Sequence, residues 1–203
     1  FVNNSYGGGN IMATLNATNL KHASSSSNNI VLAADGSTTI SNLSGGGKIL
    51  QVVQTHYSDR VSNSTASGGE WAPSQLNTSI TPSATNSKVL ITAKVAVGHE
   101  IGQRQVYMSC YRGTTQIAQA NASGNNTVVM SSGILIEHSN IVTDLFFNFL
   151  DTPNTTSATT YSFRFKHSQT ATAILYINRG HTLQNRVQDA YLSSNVTLME
   201  VAA

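Results

Sequence analysis

Lys88-Val89-Leu90-Ile91-Thr92-Ala93-Lys94-Val95-Ala96-Val97 decides the fold. Val89, Ile91, Ala93, Val95 and Val97 fall on one side of a period-two repeat, and Lys88, Thr92 and Lys94 on the other. That is the pattern of a strand with one face in a core and one toward water. Outward from it the alternation recurs. Ile49, Val53 and Tyr57 share a face, and Val106, Met108 and Cys110 form another, with Tyr107 and Tyr111 opposite. Tyr161, Phe163 and Phe165 alternate with Ser162, Arg164 and Lys166, and Ala173, Leu175 and Ile177 follow the same rule before Val196, Leu198 and Glu200. Ile134-Leu135-Ile136 and Leu145-Phe146-Phe147-Asn148-Phe149-Leu150 are apolar on both faces and are expected in the middle of a sheet. Turn residues separate these runs, so about eight to ten strands are expected in an all-β, antiparallel, jelly-roll-like sandwich from Lys48 to Ala203.

Composition supports that class. Of 203 residues, 69 are Ser, Thr or Asn, and only 10% are charged. Such residues compete with a helical backbone for hydrogen bonds and favour turns and solvated strands, which excludes long amphipathic helices and coiled coils. No apolar run approaches the roughly 18 residues of a membrane helix, so no membrane insertion is expected. The net charge is +2, and the 11 Lys and Arg are scattered singly. A nucleic-acid interface needs a basic stripe, so none is expected. Cys110 is the one cysteine and cannot form an internal disulfide; between inward neighbours it reads as a buried thiol.

Residues 12–47 differ in texture. Asn16-Ala17-Thr18-Asn19, Ser24 to Asn29 and Gly45-Gly46-Gly47 separate apolar pieces too small for a core of their own. This stretch is expected to be a short extended N-terminal arm ending in a glycine hinge. Within it, Asp35-Gly36 between Ile30-Val31-Leu32 and Thr38-Thr39-Ile40 predicts a hairpin. Met12 is the first internal start, after a Tyr6-to-Ile11 run that a purine-rich ribosome-binding stretch could encode, so residues 1–11 are expected to be a translated leader.

Chemistry-bearing motifs are sparse. Gly45-Gly46-Gly47-Lys48 lacks the Ser or Thr and the helix that a phosphate loop requires. His22, His56, His99, His138, His167 and His181 each stand alone at metal-ligand spacing, and the nine acids offer no paired carboxylates for hydrolysis. No catalytic, metal or cofactor residues are assigned, and an enzyme is not expected. Three long connections remain: residues 58–75, 121–126 and 180–194. The first holds Glu70 and Trp71 beside Gly68-Gly69; the last holds His181, Arg186 and Asp189. Trp71, Glu70 and His181 are the candidate ligand contacts, although a Trp here equally suits a plug folded back on the sandwich end. Tyr107, Tyr111, Phe146 and Phe149 are the candidate subunit contacts, because aromatics occupy both strand faces there.

Two stretches resemble a known family. Leu20-Lys21-His22-Ala23 through Ser24–Ser27 to Asn28-Asn29-Ile30-Val31-Leu32, then Asp35-Gly36, is similar to the N-terminal threads of small fibre proteins of tailed phages, especially phages of aquatic bacteria and cyanobacteria. Asp151-Thr152-Pro153-Asn154 to Tyr161, Tyr176-Ile177-Asn178-Arg179 and Ser193-Ser194-Asn195-Val196 to Ala203 resemble their closing β domain. The resemblance implies a homotrimeric structural protein on the virion surface, with no catalytic residues. Its N-terminal arm would attach to other virion proteins and its loops would meet a host surface glycan. A capsid decoration, a head fibre or a secreted glycan-binding module are alternatives within the same fold.

Overall fold

A computed structural model of the chain describes residues 18–24, 26–27, 30–36, 38–40, 48–123, 130–181 and 190–202. The leader expectation for residues 1–11, the glycine hinge at 45–47, and Arg186 and Asp189 lie outside them, as do residues 124–126 of the second long connection. The chain divides into two units, Phe1–Gly45 and Gly46–Ala203.

In the first unit, β1 (Asn19–Leu20), β2 (Ile30–Leu32) and β3 (Thr38–Ile40) form an antiparallel sheet in that order. The hairpin sits where Asp35-Gly36 predicts it. Leu32 faces Thr38, Gly36 donates its N–H to the Ala33 carbonyl at 3.1 Å, and its φ of +84° is one that glycine adopts without strain.

The second unit is a sandwich of two antiparallel sheets, and its strands are β4 (Ile49–Tyr57), β5 (Val61–Thr65), β6 (Thr78–Ile80), β7 (Lys88–His99), β8 (Arg104–Arg112), β9 (Thr115–Ile117), β10 (Ser132–Ile136), β11 (Thr143–Asp151), β12 (Thr159–His167), β13 (Ala173–Ile177) and β14 (Ser194–Val201). The five-stranded sheet runs β10-β8-β12-β6, with β9 also on β8. In the six-stranded sheet β11 lines one edge of β7; along the other edge β14 and β13 lie end to end, pairing with residues 88–94 and 97–99. Outside them run β4 on β14 and β5 on β13.

The alternation of β7 does what it predicts: Val89, Ile91, Val95 and Val97 are fully buried and meet Val106, Met108, Cys110, Tyr161, Phe163 and Phe165 from the opposite sheet. Phe147 of β11 meets Phe163 of β12 edge to face at 5.5 Å, a favoured aromatic geometry. Two expectations are corrected. Residues 58–75 are not one long connection, because Val61-Ser62-Asn63-Ser64-Thr65 is strand β5, with the polar Thr65 turned inward and buried. β10 and β11 are edge strands of their sheets rather than central ones. Their inward residues, among them Ile136, Leu145 and Phe147, are buried, while Leu135, Phe146 and Leu150 stand exposed on the outer faces.

Three buried polar knots fasten the sandwich. At one end Asp151 of β11 accepts from two strands of the opposite sheet: Arg112 Nη1 of β8 donates to both carboxylate oxygens at 2.9 Å, and the Tyr161 hydroxyl of β12 donates to Oδ2 at 2.7 Å. Where β13 gives way to β14, Asn178 takes φ +65° and donates through Nδ2 to the Tyr57 and Asp59 carbonyls at 2.9 and 2.8 Å. The Ser194 hydroxyl donates to Asn178 Oδ1 at 2.6 Å and accepts from the Ala96 N–H at 3.0 Å, and the Asn178 N–H donates to the Ala96 carbonyl at 2.9 Å. The break in the rank beside β7 thus leaves no Ala96 backbone group unpaired.

The third knot is Glu200, fully buried near the end of β14. Burial by itself would raise its pKa. Hydrogen bonds from the Ser83 hydroxyl and N–H, Gln51 and Ser87 outweigh that and bring it down to about 2. Because the folded value lies below the unfolded one, near 4.5, the stabilisation is complete above pH 4.5 and is lost as pH falls toward 2. Glu200→Gln is expected to cost about 1–2 kcal/mol at pH 7 and to flatten the acid limb of stability against pH between 4.5 and 2, read by urea unfolding. An unchanged acid limb would assign it to other carboxylates.

Candidate functional site

Three places gather the residues that sequence singles out. The first is the outer face of the six-stranded sheet, where register builds rows across four strands. Val52, Met199, Leu90 and Leu150 face one another in one row, an unbroken apolar stripe. The next row, Gln54, Thr197, Thr92 and Asn148, is polar and uncharged, with Gln54 Nε2 donating to Thr197 Oγ1 at 2.9 Å. The third is His56, Asn195, Lys94 and Phe146, and Lys94 pairs with Asp144 at 3.5 Å. Phe146 is 66% exposed and borders a depression of about 490 Å³ that Thr92, Lys94, Asn148 and Asn195 also line.

The second place is the outer face of the five-stranded sheet, beside Trp71. Trp71 exchanges backbone hydrogen bonds with Phe165, at 2.9 and 2.8 Å, and so continues the edge of β12 beyond β6. Its half-buried ring packs against the core, 6.3 Å from that of Phe165. The neighbouring Glu70 pairs with Arg164 at 3.3 Å, and the Arg164 guanidinium lies 3.8 Å over the Tyr111 ring, whose hydroxyl donates to Glu70 at 3.4 Å. This cluster is charged, aromatic and partly open.

His181 lies elsewhere. Its ring Nδ1 shares a hydrogen bond with the Tyr176 hydroxyl, and its backbone N–H donates to the Ser139 carbonyl at 2.6 Å. Among the described residues, no hydrogen bond, ion pair or ring contact joins His181 to Trp71 or Glu70. Of the four candidate subunit contacts, Tyr111 is covered by Arg164, Phe149 turns inward against Phe147, and Tyr107 lies over Gly133, where a Cβ would come within 2.8 Å of its ring. Phe146 alone of the four stands bare.

Comparison with known proteins adds little. No protein-family model and no curated protein matches the chain. Among solved structures, it is similar to the VP2 subviral particle of infectious bursal disease virus, at 13% identity and a TM-score of 0.37 over 75% of this chain and 38% of that one. It is also similar to structures of the Gx strain of that virus (10% identity, TM-score 0.40, 80% of this chain, 44% of that one) and of its Gt strain (12%, 0.39, 81%, 39%). The chain therefore spans less than half the length of each.

Folding makes one association that sequence spacing hides. His99 and His167, at the ends of β7 and β12, are both buried and meet edge to face at 5.3 Å between the two sheets. His167 Nε2 lies 3.0 Å from the Thr65 carbonyl, and its Nδ1 accepts from the Gln169 N–H at 3.2 Å. His99 uses Nδ1 toward the Ile101 backbone, and its Nε2 has no hydrogen-bond partner among the described residues. Among the described residues, no third His, Cys, Asp or Glu completes a metal site.

Burial, with His167 and Arg104 adding to it, lowers the His99 pKa against the opposing pull of the Ile101 carbonyl and Glu100. The unfolded chain therefore binds the proton first, and stability is expected to decline as pH falls below about 6.5. Urea unfolding at pH 7.5 and 5.5 checks this: the wild type should lose about 1 kcal/mol between them and His99→Leu markedly less. Equal losses would remove His99 as the cause. Cys110 is inert by the same physics, since burial pushes its thiol up to about 12.

Proposed function

We propose that this chain is a structural virion protein of a tailed phage, of the tail-fibre type, whose sandwich self-associates as a homotrimer and projects from the particle. The observation that carries the reading is the apolar row Val52-Met199-Leu90-Leu150, its ends Val52 and Leu150 exposed and its middle half-buried, on a sheet whose inner face already forms a core. A chain that has filled its core and still presents such a stripe is built to be covered. The phage-fibre resemblance of residues 20–32, 35–36, 151–161, 176–179 and 193–203 supplies the setting, and the N-terminal unit is assigned to attachment to other virion proteins. Antibody labelling of particles tests it: gold along the tail fibres is expected. Label on the head would move the protein to the capsid-decoration or head-fibre class, and unlabelled particles would overturn the virion role.

Host glycan contact is assigned to the Trp71 end, where Glu70 and Arg164 offer charge and hydrogen-bonding groups beside the half-buried Trp71 ring. Trp71→Ala and Glu70→Ala are each expected to weaken host-cell or glycan-array binding at least tenfold while circular dichroism still reports strand. Retained binding by both folded variants would reject this site.

A further inference from the structure

We propose that the outer face of the six-stranded sheet is where copies of this chain meet, with the Val52-Met199-Leu90-Leu150 row at the centre of the contact and Phe146 entering the neighbour's depression. The inference rests on the reading above only in that copies associate; which surface they use is argued from register and exposure.

β11 is the first ground. Its outer face carries Phe146 and Leu150 beside Asp144 and Asn148, and among the described residues of this unit only its inner face is buried in the core. Area is the second. Ile49, Leu50, Val52, Phe146 and Leu150 are each 41–66% exposed on or beside this face, which leaves on the order of 500 Å² of large apolar side chain bare. A stable interface buries about 800 Å² per partner, of which about 56–65% is apolar, or roughly 450–520 Å². The two figures agree.

The identity of the occupant follows from charge and shape. A face that binds its own copy must not repel itself. Here the apolar row is flanked by the uncharged Gln54-Thr197-Thr92-Asn148 row, and beyond that Lys94 is already paired with Asp144 on its own sheet. No block of one sign is present to select an oppositely charged partner. Phe146, the most exposed large apolar side chain described, stands beside a depression of about 490 Å³ on the same face, ample for a phenyl ring. Projection and hollow on one surface are what copies related by rotation require. The other sheet differs: its outer face carries Arg164, Lys166, Gln105 and the covered Tyr111.

Light scattering on the full chain over a range of concentrations tests this, with Val52→Asp, Leu150→Asp, Phe146→Ala and, as a control on the opposite sheet, the 51% exposed Leu135→Asp. All four substituted side chains lie outside the core, so far-UV circular dichroism and melting should match wild type. The wild type and Leu135→Asp are expected to be oligomers; Val52→Asp and Leu150→Asp should weaken association at least 100-fold and Phe146→Ala at least tenfold. An oligomeric wild type with folded Val52→Asp and Leu150→Asp still fully associated would overturn this surface and leave self-association standing. A wild type that stays monomeric would overturn both the surface and the self-association on which it rests, while particle labelling would still decide the virion role.

Discussion

Asp151→Ala is expected to lower the unfolding free energy by about 3 kcal/mol. Removing one partner of a buried pair costs about 3–5 kcal/mol because the other partner keeps its desolvation penalty. The lower end applies here because the Arg112 side chain is 31% exposed and regains some hydration. The Tyr161 hydroxyl regains none: it is fully buried, and its bond to Asp151 is the one that holds it. Urea unfolding measures the loss directly, and the melting temperature should fall by about 6–12 °C. Tyr161→Phe removes one bond without stranding a charge and should cost about 1–1.5 kcal/mol. A loss under 1 kcal/mol for Asp151→Ala would mean that the two sheets are not joined through this carboxylate.

Asn178→Ala is expected to cost about 3 kcal/mol by a different route. Two buried donors to the Tyr57 and Asp59 carbonyls disappear, and the Ser194 hydroxyl loses its acceptor. Alanine at φ +65° adds about 1 kcal/mol of backbone strain. Asn178→Gly removes the side-chain bonds but not the backbone preference and should recover about 1 kcal/mol of that loss. If Asn178→Gly and Asn178→Ala were equally destabilised, the left-handed conformation would contribute nothing. If both matched wild type in urea, the knot would not hold the two half-strands in line.

The sequence makes some of this legible and hides the rest for physical reasons. β7 and β12 announce themselves because one face meets a core and the other meets water, so burial writes itself directly as alternation. β5 does not, because Ser62, Asn63 and Ser64 need only backbone pairing with β13 and carry little side-chain burial. For β11 the dense apolar run reads as a central strand covered on both sides, and that expectation fails. What pattern cannot say is whether the cover comes from this chain, and the structure makes β11 an edge. The Asp151-Arg112-Tyr161 knot and the His99–His167 pair join positions far apart in sequence, so no spacing rule reaches them. Trp71 was legible as a distinctive loop residue, but its strand-like bridge to Phe165 depends on where β12 ends beside β6, which only the assembled sheet shows.

The position of β14 has a temporal consequence. β4 opens the sandwich in sequence, yet its ladder partner is β14, the last strand, and Val52 waits for Met199. Synthesis at about 5–20 residues per second separates those two by on the order of 10 s. During that interval the emerging β4 lacks its ladder partner and the β14 side of β7 stays open. Folding is therefore committed late, by the arrival of one eight-residue segment that closes two ladders at once. Until then the nascent chain exposes the strand edges that chaperones and like chains recognise, which ties the success of its assembly to the pace of translation.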